Sequence, residues 1–132
     1  MAKIFSLDVL EQLAQSPGHP GFVVCFGHFN TIHPGHIRHF RNGKQHGGQL
    51  LVAVEGDSQM PEIERDQLFS EEDRANAVAV VDLVDAVVIL RDCLLHELIS
   101  RIEPSVLMLG KEFERDNIEK VGSAITALEA QG

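Results

Sequence analysis

The chain has 132 residues, 44% of them apolar and 23% charged, with a net charge of −9 at neutral pH. That composition is globular rather than disordered, and a domain of this size hides roughly two-thirds of its unfolded surface. The acidic balance argues against a nucleic-acid binder, which needs a basic face. No apolar run reaches the ~20 residues of a membrane helix, because the longest, Val78 to Leu90, is cut by Asp82 and Asp85.

Ser6 to Ser16 reads as an amphipathic helix, with Leu7, Leu10, Leu13 and Ala14 on one face and Pro17-Gly18 as its stop. Phe22 to Phe26 is a continuous apolar run, the pattern of a strand buried on both faces. Gly27 to Pro34 is a turn, and Gly35 to His46 a helix that Gly47-Gly48 stops. Leu50 to Val54 is a second buried strand, and Glu55 to Phe69 is polar and irregular. Ser70 caps a helix running from Glu71 to Val81, with Asp73 at the capping-box position. Val84 to Leu90 is the third strand. Leu94 to Ile102 is a helix stopped by Pro104, Val106 to Leu109 the fourth strand, and Ile118 to Ala130 a final helix. Strand–helix alternation with short buried strands predicts an α/β fold, a Rossmann-like parallel sheet with helices on both faces. Ligands of such sheets bind at the carboxyl ends of strands, at a switch in strand order. The turns after Phe26, Val54 and Leu109 are therefore the places to look.

The charge is unevenly spread. Residues 1–54 hold four lysines and arginines against two acids, whereas residues 55–132 hold seven against eighteen. Six of the seven histidines lie between His19 and His46. This pattern predicts a local anion site on an acidic body. The two cysteines, Cys25 and Cys93, build no disulfide framework, and the N-terminus lacks the layout of a signal peptide. The expected compartment is the cytoplasm.

The turn reads Gly27-His28-Phe29-Asn30-Thr31-Ile32-His33-Pro34-Gly35-His36. It follows a strand and opens a helix, whose first N–H groups are unsatisfied and carry partial positive charge. Gly27 lets backbone approach a ligand, Gly35 leaves the first helical turn uncovered, and His33 and His36 can face one anion. Neither a P-loop nor a three-glycine dinucleotide fingerprint is present.

This turn resembles the Gly-x-Phe-Asp-x-x-His-x-Gly-His signature of the cytidylyltransferase-like nucleotidyltransferases. Members include glycerol-3-phosphate cytidylyltransferase and the adenylyltransferase half of the bifunctional heptose-phosphate enzyme. The resemblance continues through Gly43-Lys44-x-x-Gly47, Asp57, Glu72-x-Arg74, Val84-Asp85-x-Val87, and Pro104-Ser105-Val106-Leu107 with Gly110-Lys111-Glu112-Phe113. It covers residues 22–114. Asn30, Gly48 and Glu112 stand where the family has Asp.

The resemblance implies transfer of CMP or AMP from CTP or ATP, carried with Mg²⁺, to a small phosphorylated sugar or polyol, with release of pyrophosphate. It casts His33, His36 and Lys44 as catalytic. It places Gly27, His28, Phe29 and Gly35 against the nucleotide, Arg65 at the β/γ-phosphates, Arg74 at the phosphates or as an anchor, and Gly110 by the base. No resident metal is expected, since an i, i+3, i+6 series of histidines turns away around a helix. Relatives continue into a further strand and an Ile-Ser-Thr-Ser/Thr-x-Ile segment that binds triphosphate. This chain reaches Gly132 without one, which predicts a single domain, residues 1–132, truncated at its C-terminus. The edge strand so exposed would favour a homodimer, and relatives also occur fused to a sugar kinase. The alternative is a non-catalytic nucleotide-binding or regulatory domain of a larger protein. Residue by residue, plainer roles stand beside these: His33 and His36 as helix-cap groups, Lys44 and Arg65 as surface charges, Arg74 as a helix ion pair, Asp57 as a loop cap.

Overall fold

The computed structural model describes residues 3–59, 69–91 and 94–109. The expected helix from Ile118 to Ala130, and with it Arg65, Cys93, Gly110 and Glu112, lies outside the described residues. Within them the apolar runs become strands β1 (Phe22–Gly27), β2 (Gln49–Glu55), β3 (Ala86–Leu90) and β4 (Val106–Leu109). The amphipathic stretches become helices α1 (Leu7–Ala14), α2 (Pro34–Lys44), α3 (Glu71–Ala79) and α4 (Leu95–Ile102). The strands form one parallel sheet in the order β3-β2-β1-β4. This is the Rossmann-like α/β architecture the alternation predicts.

Alternate strand residues feed two cores. Phe22, Val24, Phe26, Leu51, Ala53, Val88 and Leu90 pack under α1 and α4, through Leu10, Leu98, Ile99 and Ile102. Val23, Cys25, Leu50, Val52, Val54 and Val87 pack under α2 and α3, through Phe40, Ala75 and Val78. Each fully buried side chain of this kind contributes about 1.5–3 kcal/mol, so these two layers dominate the stability. Burial pushes the Cys25 thiol up to about 12, which leaves it an inert core group at neutral pH.

Local chemistry sets the element ends. Ser6 and Ser70 cap α1 and α3 through Val9 N–H and Asp73 N–H. Glu103 ends α4 in the left-handed region at φ 48°, directly before Pro104. β3 starts two residues later than the apolar pattern suggests. Val84 N–H turns back to Val81 O, and Asp85 instead gives its carboxylate to Leu50 N–H and Lys44 Nζ, both at 2.7 Å.

Candidate functional site

β1 is central, with β2 and β3 on one side and β4 on the other, so the strand order reverses beside β1. The turn after β1 therefore sits at the switch point, where parallel sheets open a crevice. A cleft of about 540 Å³ occupies that point, lined by Gly27, His28, His33, His36, Arg38 and His39 among others, with no acidic side chain among its described lining residues.

Phe29 is the floor of this cleft. It is 5% exposed, and its backbone takes φ 53°, a conformation that costs a non-glycine residue of order 1–3 kcal/mol. The bend drives its ring over Gly27, where an added Cβ would meet the ring at 3.1 Å. The ring also stacks obliquely with His36 and Phe40, at centroid distances of 5.4 and 5.6 Å. Burial of a large aromatic side chain offsets the backbone strain.

His33 is the N-cap of α2, with Pro34 as the first helical residue. Gly35 N–H donates to His33 Nδ1 at 3.0 Å, and His33 N–H donates to His36 Nδ1 at 3.2 Å. The two rings lie 3.9 Å apart between centroids. A lone pair used at Nδ1 assigns the proton of each neutral ring to Nε2. The cap role and the donor role thus fall on different nitrogens of the same side chains. Gly35 is what makes room: a Cβ there would meet His33 Cε1 at 2.7 Å.

His28 points to the end of β2. Its Nε2 lies 2.7 Å from Glu55 Oε2, whose side chain is only 1% exposed. Glu55 was not signalled by the sequence, where it is one acid at the start of a polar stretch; in the fold it is the last residue of β2 and wholly buried. Asn30, standing where the family has Asp, accepts from Phe69 N–H at 2.8 Å and so ties the turn to the start of α3. A side-chain oxygen is all this contact needs, which an Asn supplies as well as an Asp.

Arg74 joins the same junction from α3. Its side chain is fully buried. Nη1 donates to His28 O and Glu55 O, both at 2.8 Å, Nε to Phe69 O at 2.9 Å, and Nη2 to Asp57 Oδ1 at 2.7 Å. Of the two roles expected for Arg74, the anchor is the one its geometry displays, and the guanidinium is not presented to the cleft. Asp57 also accepts from Glu71 N–H at 3.3 Å, Asp57 N–H donates to Glu71 Oε1 at 2.9 Å, and Arg91 holds Glu71 and Glu72.

Lys44 lies apart from the cleft. It is the last residue of α2, an 11-residue helix that starts at the cleft and is therefore about 15 Å long. Its Nζ is bound to Asp85 at the amino end of β2. A catalytic lysine is expected at the carboxyl ends of the strands, and the direction of α2 carries Lys44 to the opposite edge. The fold brings together Gly27, His28, Phe29, Gly35, His33 and His36, and leaves Lys44 apart.

A family model described as cytidylyltransferase-like matches residues 24–129 of this chain. The chain belongs to that family. Among curated relatives of this family member, the bifunctional protein HldE of Geobacter sulfurreducens is 28% identical over 121 residues, covering 89% of this chain and 25% of that protein. The bifunctional protein HldE of Wolinella succinogenes is 30% identical over 125 residues, covering 92% of this chain and 26% of that protein. The chain thus spans about a quarter of the length of these relatives. In fold it is similar to the solved lipopolysaccharide core biosynthesis protein from Thermoplasma volcanium, with a TM-score of 0.63 at 22% identity over 80% of this chain and 86% of that one. No helix among the described residues is long and apolar enough to cross a membrane.

Proposed function

We propose that this domain transfers CMP or AMP from CTP or ATP to a small phosphorylated sugar or polyol, releasing pyrophosphate. The observation that carries the reading is the pair of imidazoles at the start of α2, 3.9 Å apart with both Nδ1 atoms engaged, in a cleft with no acidic side chain among its described lining residues. A phosphate monoester oxygen of the acceptor forms a bond to the α-phosphorus. The bond from that phosphorus to the bridging oxygen breaks, and pyrophosphate leaves with the electron pair. The acceptor phosphate is already ionised near pH 7, so no strong base is required. What is required is in-line positioning and stabilisation of charge on a crowded phosphorus. His33 and His36 supply Nε2–H donors, and the helix N-terminus adds its partial positive charge. The backbone of Gly27, His28 and Phe29 lies against the nucleotide, as the family pattern implies.

Mg²⁺ enters this proposal on the triphosphate, since that ion is commonly held through substrate phosphates. No three His, Cys, Asp or Glu side chains among the described residues converge to hold a metal, and no step is assigned to the ion. A fused kinase domain belongs to the same proposal: the relatives are named bifunctional, and this chain matches a quarter of each. The use of CTP or ATP supports a cytoplasmic site of action.

The test mixes the protein with CTP or ATP, Mg²⁺ and a panel of sugar and polyol phosphates, and measures pyrophosphate. Release with one pair is expected. No release across the panel, with nucleotide binding intact, turns the reading towards a non-catalytic nucleotide-binding module. His36→Ala is expected to lower kcat by about 10²–10³-fold while nucleotide affinity changes little. Equal losses in both would contradict a transition-state role.

A further inference from the structure

Seven lysines and arginines lie among the described residues, and five are already engaged. Lys3 donates to Val81 O, Lys44 pairs with Asp85, Arg74 fills the buried clamp, Arg91 holds Glu71 and Glu72, and Arg101 holds Asp8 and Glu11. Arg38 and Arg41 are the two without a hydrogen bond or ion pair. In a chain with 20 acids against 11 lysines and arginines, this is an unusual place to leave two cations. They stand three apart on one helix face, where like charges repel.

Both arginines line a second concavity of about 450 Å³, together with Ile32, His33, Pro34 and Ile37. It shares His33 and Arg38 with the main cleft, while Arg41 lines this groove alone. Arg38 folds back along α2: a Cβ placed on Gly35 would lie 3.9 Å from its Nη2 and 2.7 Å from the His33 ring. The guanidinium, the imidazole and the helix start therefore converge where the two concavities meet.

We propose that this groove is the acceptor site. Arg38 and Arg41 bind the phosphate monoester of the acceptor, and Ile32, Pro34 and Ile37 face the C–H surfaces of its skeleton. The assignment rests on the nucleotidyl-transfer reading above. Guanidinium groups match phosphate oxygens in bidentate fashion. In-line displacement needs the attacking oxygen and the departing pyrophosphate on opposite sides of one phosphorus. Two concavities that meet at His33 and Arg38 offer two approaches to one point. The attacking oxygen belongs to the phosphate that the arginines hold.

The experiment uses inorganic phosphate as the probe, titrated at constant ionic strength into ¹⁵N-labelled protein already saturated with inorganic tripolyphosphate. The expected result is movement of the Arg38 and Arg41 Nε–Hε signals. Arg41→Gln is expected to weaken phosphate about 10-fold, with tripolyphosphate affinity held within about twofold. In turnover, the same variant raises KM for the sugar phosphate by a similar factor and leaves KM for the nucleotide nearly unchanged. Phosphate that moves only His28, His33 and His36, or an Arg41→Gln protein with unaltered phosphate affinity, overturns the acceptor site. A wild-type protein that binds phosphate at Arg41 but neither CTP nor ATP overturns the transfer reading instead.

Discussion

Arg74 is the side chain on which three segments depend. It satisfies the carbonyls of His28, Glu55 and Phe69 and neutralises Asp57 from a fully buried position. Removing it strands the buried Glu55 carbonyl, whereas Asp57 and the carbonyls of His28 and Phe69 stay partly open to water, and a buried acceptor left unsatisfied costs about 1–3 kcal/mol. Arg74→Ala is therefore expected to lose about that much in urea unfolding, and a loss below about 1 kcal/mol would show that the clamp contributes little. Arg74→Lys should recover only a minor part, because an ammonium cannot reproduce the planar fork that reaches four acceptors. The sequence made Arg74 visible through Glu72-x-Arg74 but not its direction. A helix position can serve a cleft or a core, and only the packing of α3 on β2 decides. Lys44 poses the same question, since its neighbours in sequence do not reveal which end of α2 lies at the site. Glu55 was illegible because nothing local distinguishes a buried strand-terminal acid from the first residue of a loop.

Helix α2 carries the chemistry at one end and structure at the other. Its first turn holds His33, Gly35 and His36, its middle packs Phe40, and its last residue binds Asp85. Gly35 is the point at which helix preference and site geometry oppose each other. Alanine in place of glycine favours a helix by about 1 kcal/mol, and loss of an N-cap bond costs about the same. The Cβ would stand 2.7 Å from His33 Cε1 and 2.9 Å from Nδ1, so the ring must swing and give up Gly35 N–H. Gly35→Ala is thus expected to leave the urea midpoint nearly unchanged while turnover falls about 10²-fold, the scale of a misplacement near 1 Å. A parallel fall in stability and turnover would mean that Gly35 is structural only. At this scale the sequence was most informative. Continuous apolar runs such as Phe22 to Phe26, short and bounded by glycine, have the pattern of strands buried on both faces. Ser6 and Ser70 announced the helix starts they cap, and Gly47-Gly48 lies just past the observed end of α2.

At the scale of the whole molecule, the described residues form a sheet whose two middle strands, β1 and β2, are paired on both sides, so its behaviour in solution depends on its edges. On the β3 side the chain covers its own edge. Ile4 bridges Val87 in parallel, Val87 N–H donates to Lys3 O and Phe5 N–H to Val87 O, each at 2.8 Å, and Lys3 Nζ reaches Val81 O at 3.0 Å. An edge without such cover presents unpaired N–H and C=O groups that recruit another chain. The three bonds contribute about 1 kcal/mol each, against the entropy of ordering a short terminal segment. A chain starting at Ser6 behind an initiator Met is therefore expected to lose less than about 3 kcal/mol in urea unfolding. It should also associate at high concentration, measured by light scattering. The turn after β1 lies two strands away, about 10 Å, so pyrophosphate release per folded molecule should persist at dilute concentration. A shortened chain that stays monomeric and equally stable would show that residues 3–5 merely rest on β3. One that loses turnover while still folded would show that the edge and the cleft are coupled through the sheet.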